Sequence, residues 1–242
     1  RLPKRRNNSV PPTIPDPADI KAAVDVALAE DIGTGDFTTK AVIPADTRLN
    51  LIMANRQDIV VAGLPVALEV FRRLDPDAVI TVETNDGAKI PAATVIARIE
   101  GQAEALLAAE RTALNFMQTL SGIATLTRTY VDKIEGTGAV LLDTRKTLPG
   151  LRALSKYATV MGGATNHRMR LDDGVLIKDN HIAVAGSVGE ATRRAKAGGL
   201  KNIEVECDTL DQVAEAIEAG ADSLLLDNMA PDMLVQAVDI CA

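Results

Sequence analysis

The sequence has no tryptophan and only two tyrosines and three phenylalanines, so aromatic residues make up 2% of its 242 positions. That scarcity removes the stacking platform on which single-stranded nucleic acid is usually held. Basic residues are outnumbered, 26 Lys and Arg against 33 Asp and Glu, and a net charge of −7 leaves no basic face for a duplex. Arg1, Lys4, Arg5 and Arg6 fall in a Pro- and Asn-containing stretch that reads as a solvated, mobile tail over 1–15. Cysteine is nearly absent. Cys207 and Cys241 are too few for a disulfide framework and lack zinc-ligand spacing, so both are expected to be reduced and structural. No apolar run approaches the roughly 20 residues needed to cross a bilayer, and the first residues lack the apolar core of a secretory signal. The expected compartment is the cytoplasm, with neither membrane nor nucleic acid as a partner. GxGxxG, Walker A, HExxH and GxSxG patterns are missing as well, which excludes the commonest nucleotide-binding, zinc-protease and serine-hydrolase readings.

What is present suits a globular enzyme. A content of 47% hydrophobic and 24% charged residues supports one sizeable core or two modest ones. Ile20, Val24, Ala27 and Leu28 recur at helical spacing behind Asp16 and Pro17, predicting a helix from Asp16 to Glu30 with a Gly- and Thr-rich loop over 30–39. Alternating runs at 49–54, 59–62, 79–83 and 95–100, separated by Asp75-Pro76, Asp86-Gly87 and Pro91, predict a small β-rich layer with one helix over 65–74. A helix follows over 103–120, with a break expected at Ser121-Gly122 before another helix to Ile134. From there, apolar runs at 139–142, 175–177, 203–205 and 223–226 alternate with helical segments at 151–160, 188–197 and 210–219. Such alternation predicts parallel βα units with strands covered on both faces. The fold class is therefore α/β, and the four runs finish in Asp143, Lys178, Glu206 and Asp227. In α/β barrels the carboxyl ends of strands face the ligand, so these four ends predict one mixed-charge site.

Residues 143 to 181 carry seven basic against four acidic side chains, a local +3 in an acidic chain, which points to a small anionic ligand. Arg145 and Arg168 offer planar forks for carboxylates or phosphates, and Lys146 and Lys178 offer point charges. His167 follows Gly162-Gly163, where the backbone can approach closely, and can donate a hydrogen bond or a proton. His181 reads as a structural loop histidine. Arg111 shares a helical stripe with Leu107, Leu114 and Gln118. It either snorkels and pairs with Glu110 or Glu104, or presents a buried guanidinium to an anion across a subunit interface, and the stripe alone leaves both readings open. Glu206 and Asp227 suit ribose hydroxyls or Mg²⁺ held through water.

Eight blocks in order, EDIGTGD (30–36), ERTALNFMQTLSGIAT (110–125), LLDTRKTLPGLR (141–152), KYA (156–158), GGATNHR (162–168), LIKDNHI (176–182), IEVEC (203–207) and LLLDN (224–228), closely resemble the quinolinate phosphoribosyltransferase family. The resemblance covers nearly the whole chain from about Asp16. It implies an N-terminal α/β sandwich domain over 16–120 and an incomplete, TIM-like α/β barrel over 121–242. The implied assembly is a homodimer in which each site combines one subunit's barrel with the other's N-terminal domain, so that Arg111 reaches the partner's site. Arg145, His167 and Arg168, with Thr144 counted beside them, would bind quinolinate. Lys146, Lys178, Glu206 and Asp227 would surround phosphoribosyl diphosphate and its Mg²⁺, with Lys146, Glu206 and Asp227 in the catalytic roles and Glu206 and Asp227 toward the metal. The implied reaction gives nicotinate mononucleotide, CO₂ and diphosphate, as in NAD synthesis.

The sequence departs from the family at Ala164, where many relatives have a third glycine. It also starts without Met and stops at Cys241-Ala242 while a helical pattern continues, so both ends read as cut. The family continues with a Ser-Gly-Gly turn and a further strand and loop that help to hold the ribose phosphate, and a chain lacking them is expected to be weakly active at best. Two other readings compete. A paralogue could use another heteroaromatic acid, although Arg111, Arg145, His167 and Arg168 together favour a two-carboxylate substrate. A non-catalytic phosphate binder would be weakened by Glu206 and Asp227 beside five cations.

Overall fold

The structure, a computed structural model, describes residues 15–242. The tail expected over 1–15, with its four basic residues, lies outside the described residues except for Pro15. By their contacts the residues form two compact units, whose described parts are 15–169 and 170–242.

The first unit begins with α1 (Pro17–Ile32), capped as expected by Asp16, whose carboxylate accepts from Ala18 N at 2.8 Å. Its apolar stripe, Ile20, Val24 and Leu28, is buried. An antiparallel sheet in the order β1-β5-β3 follows from β1 (Arg48–Ala54), β3 (Val79–Val82) and β5 (Val95–Gln102). A second ladder joins β2 (Ile59–Val60) to β4 (Lys89–Ile90). Three helices, α3 (Leu64–Leu74), α4 (Ala103–Ile134) and α5 (Arg152–Met161), pack against these elements, and Phe71, Ile99, Leu106, Leu120 and Leu154 lie in one continuous core. The β-rich layer and the helix over 65–74 are thus present close to their expected bounds.

Three expectations for this unit need correction. The stretch 30–39 is not all loop, because a short helix α2 (Phe37–Val42) starts inside it, with Asp36 accepting from Thr39 N at 2.9 Å. The break at Ser121-Gly122 does not occur, and α4 runs through it as one 32-residue helix. Ser121 Oγ is engaged with the Ala62 backbone, accepting from its N–H at 3.0 Å and donating to its C=O at 3.1 Å, so it does not compete for the helix's own bonds. Gly122 costs the helix about 1 kcal/mol relative to alanine, too little to stop it while Met117, Leu120 and Ala124 are buried beside it. Lastly, the strand expected over 139–142 shrinks to a single parallel bridge between Leu142 and Thr165. Thr165 N donates to Leu141 O at 2.8 Å and Asp143 N to Thr165 O at 3.1 Å. The next available donor, His167 N, then turns to the Asp143 side chain at 2.8 Å, which ends the ladder.

The second unit is a sequential parallel sheet of β6 (Val175–Ile177), β7 (Ile203–Cys207) and β8 (Ser223–Leu226), in the order β6-β7-β8. It alternates with α6 (Asp179–Ala185), α7 (Val188–Ala197), α8 (Leu210–Glu218) and α9 (Pro231–Cys241). This is the repeating arrangement of an α/β barrel, as the sequence predicts. Ile203, Val205 and Cys207 are buried with Val188, Val213 and Ala216, whereas Glu204 and Glu206 occupy the opposite face of β7 and are half-buried. The cover on both faces read from the apolar runs therefore becomes a two-residue alternation on β7. The helix α6 was not legible in the sequence, since none of its residues is buried and no apolar period marks it. His181 sits in its first turn, where its Nδ1 accepts from Lys178 N at 3.0 Å, a structural histidine on a helix and not in a loop. Among the described residues no helix is long and apolar enough to cross a membrane.

Candidate active site

In the first unit the segments 143–147 and 165–169 converge on one carboxylate. Asp143 accepts from His167 N at 2.8 Å, from Asn166 Nδ2 at 2.6 Å, from Thr159 Oγ1 at 3.2 Å and from Lys156 Nζ, which fills the roughly four acceptor positions a carboxylate offers. Both members of the ion pair are enclosed, with the Lys156 side chain 1% and the Asp143 side chain 5% exposed. Asp143 therefore links the residues just before Thr144, Arg145 and Lys146 to the residues just before Arg168. In the sequence Asp143 reads as a strand-end charge, and Lys156 stands out only as the first residue of the KYA block. A lysine inside the apolar helical segment 151–160 was the available signal, because α5 buries residues on every side and a buried ammonium requires an acid.

The cations near this hub are differently placed. Thr144 and Lys146 are exposed, with Thr144 Oγ1 accepting from Lys146 N at 3.0 Å. Arg145 is half-buried, and its Nε is enclosed without a hydrogen-bond partner among the described residues. Enclosed donors are nearly always paired, so an orphaned guanidinium N–H is the exception that calls for an acceptor from outside the chain. His167 and Arg168 are also half-buried. Arg152, the last residue of the LLDTRKTLPGLR block, donates from Nε to Thr147 Oγ1 and from Nη1 to Met169 O, both at 3.3 Å.

The helix that carries Arg152, Lys156 and Thr159 is itself fixed. Tyr157 donates its hydroxyl to Asp86 at 2.7 Å, and Asp86 also accepts from Gly63 N at 2.7 Å and Leu64 N at 3.1 Å, at the start of α3. Burial pushes the Asp86 carboxyl above the usual carboxylate range, an effect that the bonds from Tyr157, Gly63 and Leu64 oppose. The Tyr157 hydroxyl is raised as well, by its own burial and by the Asp86 charge beside it.

Arg111 lies elsewhere on this unit, on the exposed face of α4, where it lines a cavity of about 920 Å³ with Arg56, Asn55, Gln118 and Thr125. The guanidinium is exposed, as a snorkelling arginine would be, and is not buried within the chain; no ion pair to Glu104 or Glu110 forms among the described residues.

In the second unit the register aligns the strand ends. Ile177 lies opposite Val205, and Leu226 lies opposite Cys207, so Lys178, Glu206 and Asp227 emerge at one edge of the sheet. Lys178 Nζ donates to Glu206 Oε2 at 2.9 Å, with side chains 42% and 13% exposed. Asp227 is half-buried; its N–H donates to Cys207 O at 3.0 Å and its carboxylate accepts from Asn228 Nδ2 at 2.8 Å. Among the described residues no group of three or more His, Cys, Asp or Glu side chains forms a metal cage. Burial holds the Cys207 thiol up at about 11, with nearby acidic groups adding to the shift, so this cysteine is an inert part of the core.

Comparison with known proteins covers both units. Residues 36–121 match the family described as quinolinate phosphoribosyl transferase, N-terminal domain, and residues 123–242 match its C-terminal domain. A probable nicotinate-nucleotide pyrophosphorylase [carboxylating] of Synechocystis sp. is 44% identical, with 88% of this chain and 72% of the relative covered. Its counterpart in Bacillus subtilis is also 44% identical, over 88% of this chain and 74% of its own length. Among solved structures, the nicotinate-nucleotide pyrophosphorylase of Francisella tularensis superposes with a TM-score of 0.88 at 40% identity, covering 94% of this chain and 81% of the other.

Proposed function

The chain belongs to the quinolinate phosphoribosyltransferase family, and from that premise we propose that it converts quinolinate and 5-phosphoribosyl 1-diphosphate to nicotinate mononucleotide, CO₂ and diphosphate in NAD biosynthesis. The observation that carries this reading is the hub at Asp143, which draws the segments bearing Arg145, Lys146, His167 and Arg168 together and leaves the Arg145 Nε enclosed and unpaired. Quinolinate carries two carboxylates on adjacent ring carbons. Each charge-assisted hydrogen bond contributes about 1.5–3 kcal/mol, so such a dianion needs several donors to offset its desolvation. Arg145, His167 and Arg168 supply them, with Thr144 at the edge of the same segment.

In this proposal Lys146 and Lys178 bind the phosphate groups of the second substrate and stabilise the departing diphosphate. The donor set at the sheet edge suits Mg²⁺, which takes one or two carboxylates and keeps waters and substrate phosphates as its other ligands. Glu206 and Asp227 would hold it, and Mg²⁺ would supply charge neutralisation on the leaving diphosphate. The pairing of Glu206 with Lys178 orients the carboxylate before any ligand arrives. Glu206 and Asp227 also support positive charge developing at the ribose. Once ribosylated, the pyridine nitrogen is cationic and stabilises the electron pair left on the ring carbon by CO₂, and that carbon then takes a proton from solvent, so the chain's residues need only position the reactants.

The proposal also includes a homodimer in which Arg111 completes the partner's site. An exposed arginine in a concave surface, with exposed Ile52 and Leu126 lining the same surface, supports that assignment. The division of labour follows residues 16–120 and 121–242, although α4 is continuous between them. The compartment proposed is the cytoplasm, where the free thiols of Cys207 and Cys241 stay reduced. Calorimetric titration of quinolinate into the wild type and Arg145→Ala tests the site. Affinity should fall by about 10- to 100-fold, the weight of one charge-assisted bond, and an unchanged affinity would remove Arg145 from the pocket.

A further inference from the structure

We propose that Lys156 is a positioning residue for the quinolinate pocket: it fixes the cation-bearing segments through Asp143 and cancels that carboxylate's charge beside the bound dianion. The inference rests on the reading that the pocket takes quinolinate. Arg152, Lys156 and Thr159 stand at i, i+4 and i+7 on α5 and so share one face of the helix. That face meets both segments at both ends. Lys156 Nζ and Thr159 Oγ1 hold Asp143, at the start of 143–147, and Arg152 Nε holds Thr147, at its end. The Lys156 carbonyl accepts from Asn166 Nδ2 at 3.0 Å, and Arg152 Nη1 reaches Met169 O, so the second segment is also fastened on either side of His167 and Arg168. The cations are thereby suspended between fixed points, and the helix holding those points is tied to α3 through Tyr157 and Asp86.

The charge argument is separate from the bracing argument. Asp143 directly precedes Thr144, Arg145 and Lys146, and its carboxylate is 5% exposed, so water screens it poorly. An unpaired carboxylate there would repel the dianion those residues bind. With Lys156 opposite, the pair contributes no net charge and the pocket keeps its excess of cations. A lysine serving only to fill the core would be replaced by methionine with little effect on ligand affinity.

The test measures quinolinate affinity by calorimetry, with melting temperature alongside, for the wild type, Lys156→Met, the double variant Asp143→Asn/Lys156→Met, and Asn166→Ala. Lys156→Met leaves the carboxylate uncompensated and should weaken binding by about 10- to 100-fold. The double variant removes both charges and keeps an amide oxygen to accept from His167 N but loses the bond from Asn166, so it should recover to about the affinity of Asn166→Ala. Asn166 is exposed, so Asn166→Ala should leave the melting temperature in place while lowering affinity by about 3- to 10-fold through the lost tie to Asp143. Equal affinity in Lys156→Met and wild type overturns the proposal, as does a double variant no better than the single one. If Lys156→Met does not fold, an Asn166→Ala variant that binds as wild type overturns the bracing, and a double variant more than about 100-fold weaker than wild type overturns the charge argument. A wild type that does not bind quinolinate would instead refute the substrate reading, which separates the two failures.

Discussion

Gly162 is where a single methyl group should disturb both the fold and the site. An ideal Cβ there would stand 2.5 Å from Thr127 Cβ, 2.6 Å from the Ala124 carbonyl oxygen and 2.8 Å from Thr127 Cγ2. The backbone at Gly162, with φ −71° and ψ −11°, is one that any residue adopts, so the cost of Gly162→Ala lies in contact alone. Neither neighbour can yield easily. Ala124 O is part of the α4 backbone, and Thr127 is held in its rotamer by a 2.8 Å hydrogen bond from Oγ1 to Ile123 O. The end of α5 must therefore move away from α4. Overpacking of this kind costs about 1–3 kcal/mol, and in a protein of this size each kcal/mol lowers Tm by roughly 2–4 °C. Gly122, in the same helix α4, is the control: a Cβ there meets nothing within 4 Å, so Gly122→Ala should stabilise by about 0.5–1 kcal/mol. Urea unfolding with matched m-values gives both differences. Moving α5 also moves Lys156, so Gly162→Ala should weaken quinolinate binding as well. A Gly162→Ala variant within about 0.5 kcal/mol of wild type would refute the close-approach argument.

Asp86 should leave a signature in the pH dependence of stability. Its folded pKa is raised, so between the unfolded value of 3.8 and that raised value the native state binds more protons than the unfolded state, and stability falls as pH rises through the window. Relative to Asp86→Asn, which does not titrate, the wild type should gain stability on acidification through this range; a loss would contradict the burial argument. For Arg111 the proposed partner-site role predicts complementation. Arg111→Ala and Lys146→Ala should each be inactive, while mixed and reassembled subunits should recover about a quarter of wild-type activity, because half the dimers then carry one intact site. No recovery would place Arg111 and Lys146 in the same subunit's site, or Arg111 in none.

Much of the fold was legible because its signals are periodic. The capped helix α1, the β-rich layer and the parallel alternation after residue 170 each follow from apolar spacing that burial then enforces. Failures occurred where tertiary bonds replaced local ones. Ser121 reads as a helix breaker until Ala62 takes its hydroxyl, and 139–142 reads as a strand until Asp143 captures His167 N. The helix α6 has no buried residue and so no pattern to find. For the site, the cations were visible as a local excess of charge, and the strand-end positions of Lys178, Glu206 and Asp227 followed from the alternation. The support was not visible, since a buried Lys156–Asp143 pair spans 13 positions and appears in sequence as two ordinary charges. Arg111 could not be resolved from its helix stripe, because the alternatives differ in what lies outside the chain.

The most direct test of the account uses quinolinate labelled at its 2-carboxylate, incubated with the protein, phosphoribosyl diphosphate and Mg²⁺. The account predicts labelled CO₂ and nicotinate mononucleotide in equal amounts, with no CO₂ when phosphoribosyl diphosphate is omitted. Release of CO₂ without phosphoribosyl diphosphate would contradict the order of events proposed here, and consumption of nicotinate but not quinolinate would contradict the substrate.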